Sequence, residues 1–83
     1  MTARLEHHAA LDVTADVFPL TWVKTDLALE RLPAGQVLRL TLNGGDALRD
    51  LPRRAKDEGH KVLAVQRHDD ERYTLLIRSG GLR

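Results

Sequence analysis

The pattern of apolar and polar positions changes period several times along the chain, and each change predicts the boundary of an element. Four stretches place apolar residues at alternate positions, which is typical of strands with one buried face. The predicted strands are residues 11–14, 36–42, 61–67 and 72–78. Two other stretches have apolar residues at helical spacing. The predicted helices run from Pro19 to Leu32 and from Asp50 to Glu58.

The first helix carries more apolar surface than one covered face requires. One face has no charged residue, and we expect Trp22, Leu29 and Leu32 to be buried there. A second apolar stripe lies among charged positions and consists of Leu20, Val23 and Leu27. We therefore expect one face of this helix to pack on the sheet and the stripe to remain outside.

The start of the second helix is predicted from a proline. Asp50 is the expected N-cap and Leu51 the first helical position, because Pro52 deep inside a helix would cost about 3 kcal/mol. Residues 46–50 then form a separate turn. Ala55 is expected to face inward with Leu51, and Gly59 to end the helix.

The element order βαβαββ predicts an α/β (α+β) two-layer sandwich. A four-stranded mixed sheet would carry both helices on one face, with a right-handed parallel crossover through the first helix and a final hairpin. The strand residues expected to face the helices are Leu38, Leu40 and Leu42, then Leu63 and Val65, then Tyr73, Leu75 and Ile77.

Composition limits the class of protein. The chain has 83 residues, 30% charged and 42% hydrophobic, with a net charge of +1, which is typical of one globular domain and disfavours a dedicated polyanion binder. We expect a flexible arm at residues 1–9, one domain at 10–79 and a tail at 80–83. No apolar run approaches the roughly 20 residues of a membrane span, and no secretory signal opens the chain. A cytoplasmic protein is expected.

The chain contains no cysteine, which excludes disulfides, thiolate metal sites and a cysteine nucleophile. His7 and His8 are adjacent but have no carboxylate partner, so we interpret them as solvated rather than metal-binding. His60, His68 and Asp50 are acid–base groups that nothing in the sequence brings together. We therefore predict no metal site, no cofactor and no catalytic residue.

Three short segments, in this order and spacing, resemble the TusA/SirA-like sulfur-carrier family over about residues 10 to 78. They are Phe18-Pro19-Leu20-Thr21 at the start of the first helix, Asp50-Leu51-Pro52, and Gly59-His60 followed by Val62-Leu63. In that family a Cys-Pro-x-Pro motif stands at the first of these places. A thiol at a helix N-terminus is favoured as thiolate, and the family uses it to carry sulfur as a persulfide.

The resemblance implies the fold and a partner surface, but it does not imply sulfur transfer. Phe18 stands where the family has its cysteine and Thr21 where it has the second proline, so this is a divergent member from which we expect no enzymatic activity. We predict a partner-binding or regulatory module that docks a sulfur-relay protein or a paralogue's partner. The predicted surface is Phe18, Pro19, Leu20, Thr21, Val23 and Leu27, with Arg53 and Arg54 as electrostatic neighbours. A weak homodimer through this surface is a variant of the same hypothesis.

Two alternatives remain open from the sequence. In the first, Phe18 folds into the core and the apolar stripe is ordinary surface. In the second, the second helix binds RNA. The basic residues behind the second alternative are Arg49, Arg53, Arg54, Lys56 and Lys61. Acidic neighbours dilute this charge, and the chain has one Trp, one Tyr and one Phe for base stacking, so nucleic acid is the less favoured partner.

Overall fold

The computed structural model describes residues 7–68 and 71–81. Its elements are β1 (Ala9–Asp12), α1 (Leu20–Arg31), β2 (Val37–Asn43), α2 (Asp46–Asp57), β3 (Lys61–Arg67) and β4 (Arg72–Arg78). This is the predicted order. The bounds of β3 and β4 match the prediction, and α1 lies between Pro19 as N-cap and Leu32 as C-cap.

The strands form one mixed sheet in the order β1-β2-β4-β3. β1 runs parallel to β2, so the chain crosses over through α1, and β4 pairs antiparallel with both β2 and β3. The predicted parallel pair and the predicted hairpin are therefore confirmed. Both helices lie on one face of the sheet, and β1 and β3 form its two edges.

The core lies between the sheet and the helices. Leu38, Leu40 and Leu42 of β2 are fully buried and form one cluster with Leu29 of α1 and Leu51 of α2. The rest of the cluster consists of Val13, Trp22, Ala55, Leu75 and Ile77. The predicted inner face of α1 is thus confirmed for Trp22 and Leu29, while Leu32 is half-buried.

β1 begins and ends two residues earlier than the alternation indicated. Ala9 pairs with Leu38 and Asp12 with Thr41, after which the chain turns away from β2. Val13 is nevertheless buried, and its N–H donates to the Thr41 oxygen at 2.9 Å. The alternation predicted which side of this segment is apolar, but it did not predict the register with β2 that sets the ends of the strand. Ala9 belongs to β1, and residues 1–6 of the expected arm lie outside the described residues.

The predicted start of α2 is wrong. The helix begins at Asp46 rather than after Asp50, and Pro52 lies inside it. The Arg49 N–H donates to the Gly45 oxygen at 3.1 Å and closes a first turn that sequence reasoning assigned to a separate element. Proline removes one helical hydrogen bond at its own position, but Ala47 and Leu48 in the first turn pack against the core, which favours the continuous helix. Gly59, with φ of 91°, ends this segment as predicted.

A bulge in β3 corrects the predicted orientation of Leu63. Val62 pairs with Ile77 and Ala64 with Leu76, so Leu63 is the extra residue between them. Val62 therefore faces the helices and packs on the core, whereas Leu63 was expected to do so. Val65 pairs with Leu75 and shares its face as predicted, but it is 57% exposed because β3 is an edge strand that the helices do not fully cover.

The residues that follow β4 form hydrogen bonds with the rest of the domain. Ser79 is buried, and its hydroxyl lies 3.0 Å from the oxygens of both Leu29 and Leu32 at the end of α1. The Gly80 N–H donates to His60 Nδ1 at 2.9 Å, and a Cβ at Gly80 would overlap the Gly59 oxygen. Residues 82–83 of the expected tail lie outside the described residues.

The orientation of α1 is tested by two leucines on opposite sides of the helix. Leu29→Ala should lower the free energy of unfolding by about 3 to 5 kcal/mol, because Leu29 is fully buried. Leu27→Ala is the matched control and should cost about 1 kcal/mol or less, since Leu27 is half exposed. Urea denaturation measures both. Equal losses would contradict this orientation.

Candidate functional site

A cleft opens where the β1–α1 connection meets the β2–α2 loop. Its volume is about 280 Å³, and it lies at the N-terminal end of α1. The residues that line it are Val13, Asp16, Val17, Phe18, Thr21, Asn43, Gly44 and Ala47. It is therefore built from both connections that leave the same end of the parallel strands β1 and β2.

Hydrogen bonds fix the connection between β1 and α1. The Asp12 carboxylate accepts from the Thr14 hydroxyl at 2.6 Å and from the Thr14 N–H at 2.8 Å. Asn43 Nδ2 donates to the Thr14 oxygen at 2.6 Å, which ties this connection to the end of β2. Lys24 of α1 forms a salt bridge with Asp16 at 2.9 Å. The loop that carries Phe18 is thus anchored on both sides.

Phe18 closes the cleft and is not a free surface aromatic. Its ring is half-buried and packs on the core, and the Arg54 guanidinium lies 5.2 Å from the ring centroid. Such a cation–π contact is worth about 0.5 to 1 kcal/mol at an exposed site. The Phe18–Pro19 peptide bond is cis, and the Pro19 oxygen accepts from the N–H groups of Trp22 and Val23.

Thr21 lies in the wall of the cleft, where it is 2% exposed. Its hydroxyl has no hydrogen-bond partner in the described part of the chain, while its backbone oxygen accepts from the Thr25 hydroxyl at 2.7 Å. The sequence analysis placed Thr21 in the partner surface, whereas the structure buries it. Nothing in the sequence predicts that this hydroxyl lacks a hydrogen-bond partner among the described residues.

The second apolar stripe of α1 is exposed. Leu20, Val23 and Leu27 are 45%, 47% and 50% exposed. Val17, which sequence reasoning did not single out, is also exposed and precedes the stripe along the chain. The stripe and the cleft meet at the start of α1, so the structure brings Phe18, Pro19 and Leu20 together with Thr21.

The two arginines expected beside this surface are separated. Arg54 contacts Phe18, whereas Arg53 lines a groove between α2 and β3. Neighbouring residues on a helix point about 100° apart, so Arg53 and Arg54 face two different surfaces. Arg54 is therefore the electrostatic neighbour of the motif.

The histidines have structural partners. His60 Nδ1 accepts from Gly80, and His68 Nε2 lies 2.7 Å from the Thr74 hydroxyl. His8 was expected to be solvated, but it exchanges two hydrogen bonds with Val37: its N–H donates to the Val37 oxygen, and its Nδ1 accepts from the Val37 N–H. Within residues 7–68 and 71–81, no group of three or more His, Cys, Asp or Glu side chains could hold a metal ion.

Comparison with known proteins gives a consistent result. Residues 9–79 match the family model described as sulfurtransferase TusA. A protein of Archaeoglobus fulgidus, named as a candidate sulfur carrier, is 35% identical over 75 residues, which is 90% of this chain and 85% of the relative. A protein of Methanocaldococcus jannaschii, with the same kind of name, is 32% identical over 68 residues, or 82% of this chain and 89% of that relative.

Among the described residues, no helix is long and apolar enough to cross a membrane.

The hydrogen bonds between Asp12 and Thr14, which hold the loop that carries Phe18, predict that the stability of the fold depends on pH. The Thr14 hydroxyl, followed by the Thr14 N–H, lowers the pKa of Asp12 below its usual value, and Arg72 adds to this. The ionised carboxylate therefore stabilises the fold above the unfolded-state pKa of about 3.9, and this stabilisation disappears as the pH falls through the lower folded-state pKa. Thr14→Val should raise the pKa of Asp12 in a carboxyl NMR titration, while Thr14→Ser should preserve it. The same pKa in both variants would contradict the assigned cause.

Proposed function

The chain belongs to the TusA sulfurtransferase family, and from this membership we propose that it binds a sulfur-relay protein without carrying sulfur itself. Sulfur-carrier proteins of this family interact with partner proteins. A persulfide needs a cysteine sulfur, and the chain contains no cysteine. Phe18 occupies the place that the resemblance assigns to the sulfur-carrying residue. The chain would thus retain the family's docking function and lack its transfer step.

The exposed stripe of α1 is the observation that carries the proposal. Leu20, Val23 and Leu27 each remain about half exposed on a helix whose other face is fully packed. Contiguous exposed apolar surface marks interaction sites, and this surface continues into the Phe18–Pro19 loop at the mouth of the cleft. Arg54 adds a cationic group to this surface, because its guanidinium lies 5.2 Å from the centroid of the Phe18 ring.

The occupant we propose is a protein that itself carries or transfers sulfane sulfur. A second copy of this chain is the competing occupant, because two such apolar stripes would bury each other's side chains. Nucleic acid is not favoured, because the basic residues of α2 are divided between two surfaces and the named relatives are described as candidate sulfur carriers.

The stripe is tested by Val23→Asp. Immobilised protein should capture a sulfur-transfer protein from native lysate, and the purified partner should bind Val23→Asp at least about tenfold more weakly, since a charge replaces a buried apolar contact. Isothermal titration calorimetry measures the affinity. Phe18→Asp should weaken binding as well, but Val23 is the sharper probe because Phe18 also packs on the core.

Val65→Asp is the matched control for this experiment. Val65 is an equally exposed valine on β3, away from α1, and its substitution should leave the affinity unchanged. Equal loss of binding in both variants, or the absence of any sulfur-transfer protein among the captured partners, would contradict the proposal. A dimer in sedimentation that Val23→Asp dissociates would assign the stripe to self-association instead.

The electrostatics of the site are tested by Phe18→Cys. We expect the new thiol to have a pKa below the usual value of about 8.5, because it would stand at the N-terminus of α1 beside Arg54. The pH dependence of alkylation by iodoacetamide, followed by mass spectrometry, measures this pKa. Arg54→Gln in the same background should raise it. Val65→Cys is the reference, and a Phe18→Cys thiol that titrates at or above that reference would contradict the expectation.

A further inference from the structure

A second groove lies between α2 and β3, on a different side of α2 from the Arg54–Phe18 contact. Its volume is about 750 Å³. The residues that line it are Pro52, Arg53, Lys56, His60, Lys61 and Val62. This lining includes three basic side chains and no carboxylate, so the groove is a basic cleft in a protein whose net charge is only +1.

The fold brings these cations together. Arg53 and Lys56 are three residues apart and share one face of α2, and Lys61 opens β3 after the turn at Gly59. All three side chains are exposed. None of them forms a salt bridge with another residue in the part of the chain that the structure describes. Their charge is therefore available to a ligand.

The remaining walls of the groove indicate what kind of anion fits. Pro52 and Val62 are half-buried apolar side chains within the same lining. β3 is the edge of the sheet, so the backbone groups on its outer side have no strand partner among residues 7–68 and 71–81, and an extended segment can pair with them. We propose that this groove binds an acidic, extended segment of a partner protein. Its carboxylates would contact Arg53, Lys56 and Lys61, and an apolar side chain would contact Pro52 and Val62.

Charge and composition favour a peptide over a nucleic acid. Single-stranded nucleic acids bind through aromatic platforms, and the lining contains no Phe, Tyr or Trp. The ring of His60 is buried, and its Nδ1 already accepts the Gly80 N–H. This groove is distinct from the α1 stripe, so its failure or success does not depend on the proposed function.

The probe is a short fluorescein-labelled peptide of alternating Glu and Val, and its binding is followed by fluorescence anisotropy at low ionic strength. We expect Lys56→Glu and Lys61→Glu to weaken binding at least about tenfold each. Arg39→Glu is the matched control, because it makes the same charge change at an exposed position of β2 outside the groove. It should alter the affinity less than about threefold. A peptide of alternating Glu and Gly should bind more weakly than the Glu–Val peptide.

Four results would overturn the proposal. Equal loss in Arg39→Glu would indicate general electrostatic attraction rather than a groove. Equal affinity for the Glu–Gly and Glu–Val peptides would show that Pro52 and Val62 make no apolar contact with the peptide, contrary to the proposal. A single-stranded RNA that binds more tightly than the peptide, and is lost in the same two variants, would make the groove a nucleic-acid surface. An absence of peptide binding by the folded wild-type protein would reject the site.

Discussion

The packing of α1 on β2 is the contact on which the rest of the structure depends. Leu29 and Trp22 lie against the fully buried leucines of β2, and this fixes which side of the helix faces outward. The parallel pairing of β1 with β2 then requires the chain to cross over the sheet through this helix. The N-terminal end of α1 consequently lies beside the β2–α2 loop, where the cleft forms, and the apolar stripe is left in solvent.

The same framework positions the loop at the start of α1. Phe18 takes the place before the helix N-terminus, and its ring is held between the core and the Arg54 guanidinium. Asp12, Thr14 and Asn43 hold the loop through hydrogen bonds that do not involve Phe18. The loop conformation therefore does not depend on a cysteine. The buried hydroxyl of Thr21, which has no hydrogen-bond partner among the described residues, is a local cost in the same wall of the cleft.

Local periodicity was sufficient to predict the element order, the inner face of α1 and its exposed stripe, because each is a property of a single segment. Features set by contacts between segments were not predictable in this way. The start of α2 was misplaced because Pro52 carries a local cost, whereas the packing of Ala47 and Leu48 on the core is a tertiary effect. The bulge at Leu63 depends on pairing with β4. The separation of Arg53 from Arg54 requires the position of β3, which no local pattern encodes.

The central claim is that the outer face of α1 is a docking surface for a sulfur-relay protein. The most direct measurement is amide chemical-shift mapping of the isotope-labelled chain, titrated with the purified partner. The account predicts that the largest changes fall on Val17 and Phe18 and on Leu20, Val23 and Leu27, with little change on the open face of the sheet around Arg39. Changes confined to the sheet face, or to α2 and β3 with α1 unaffected, would contradict it.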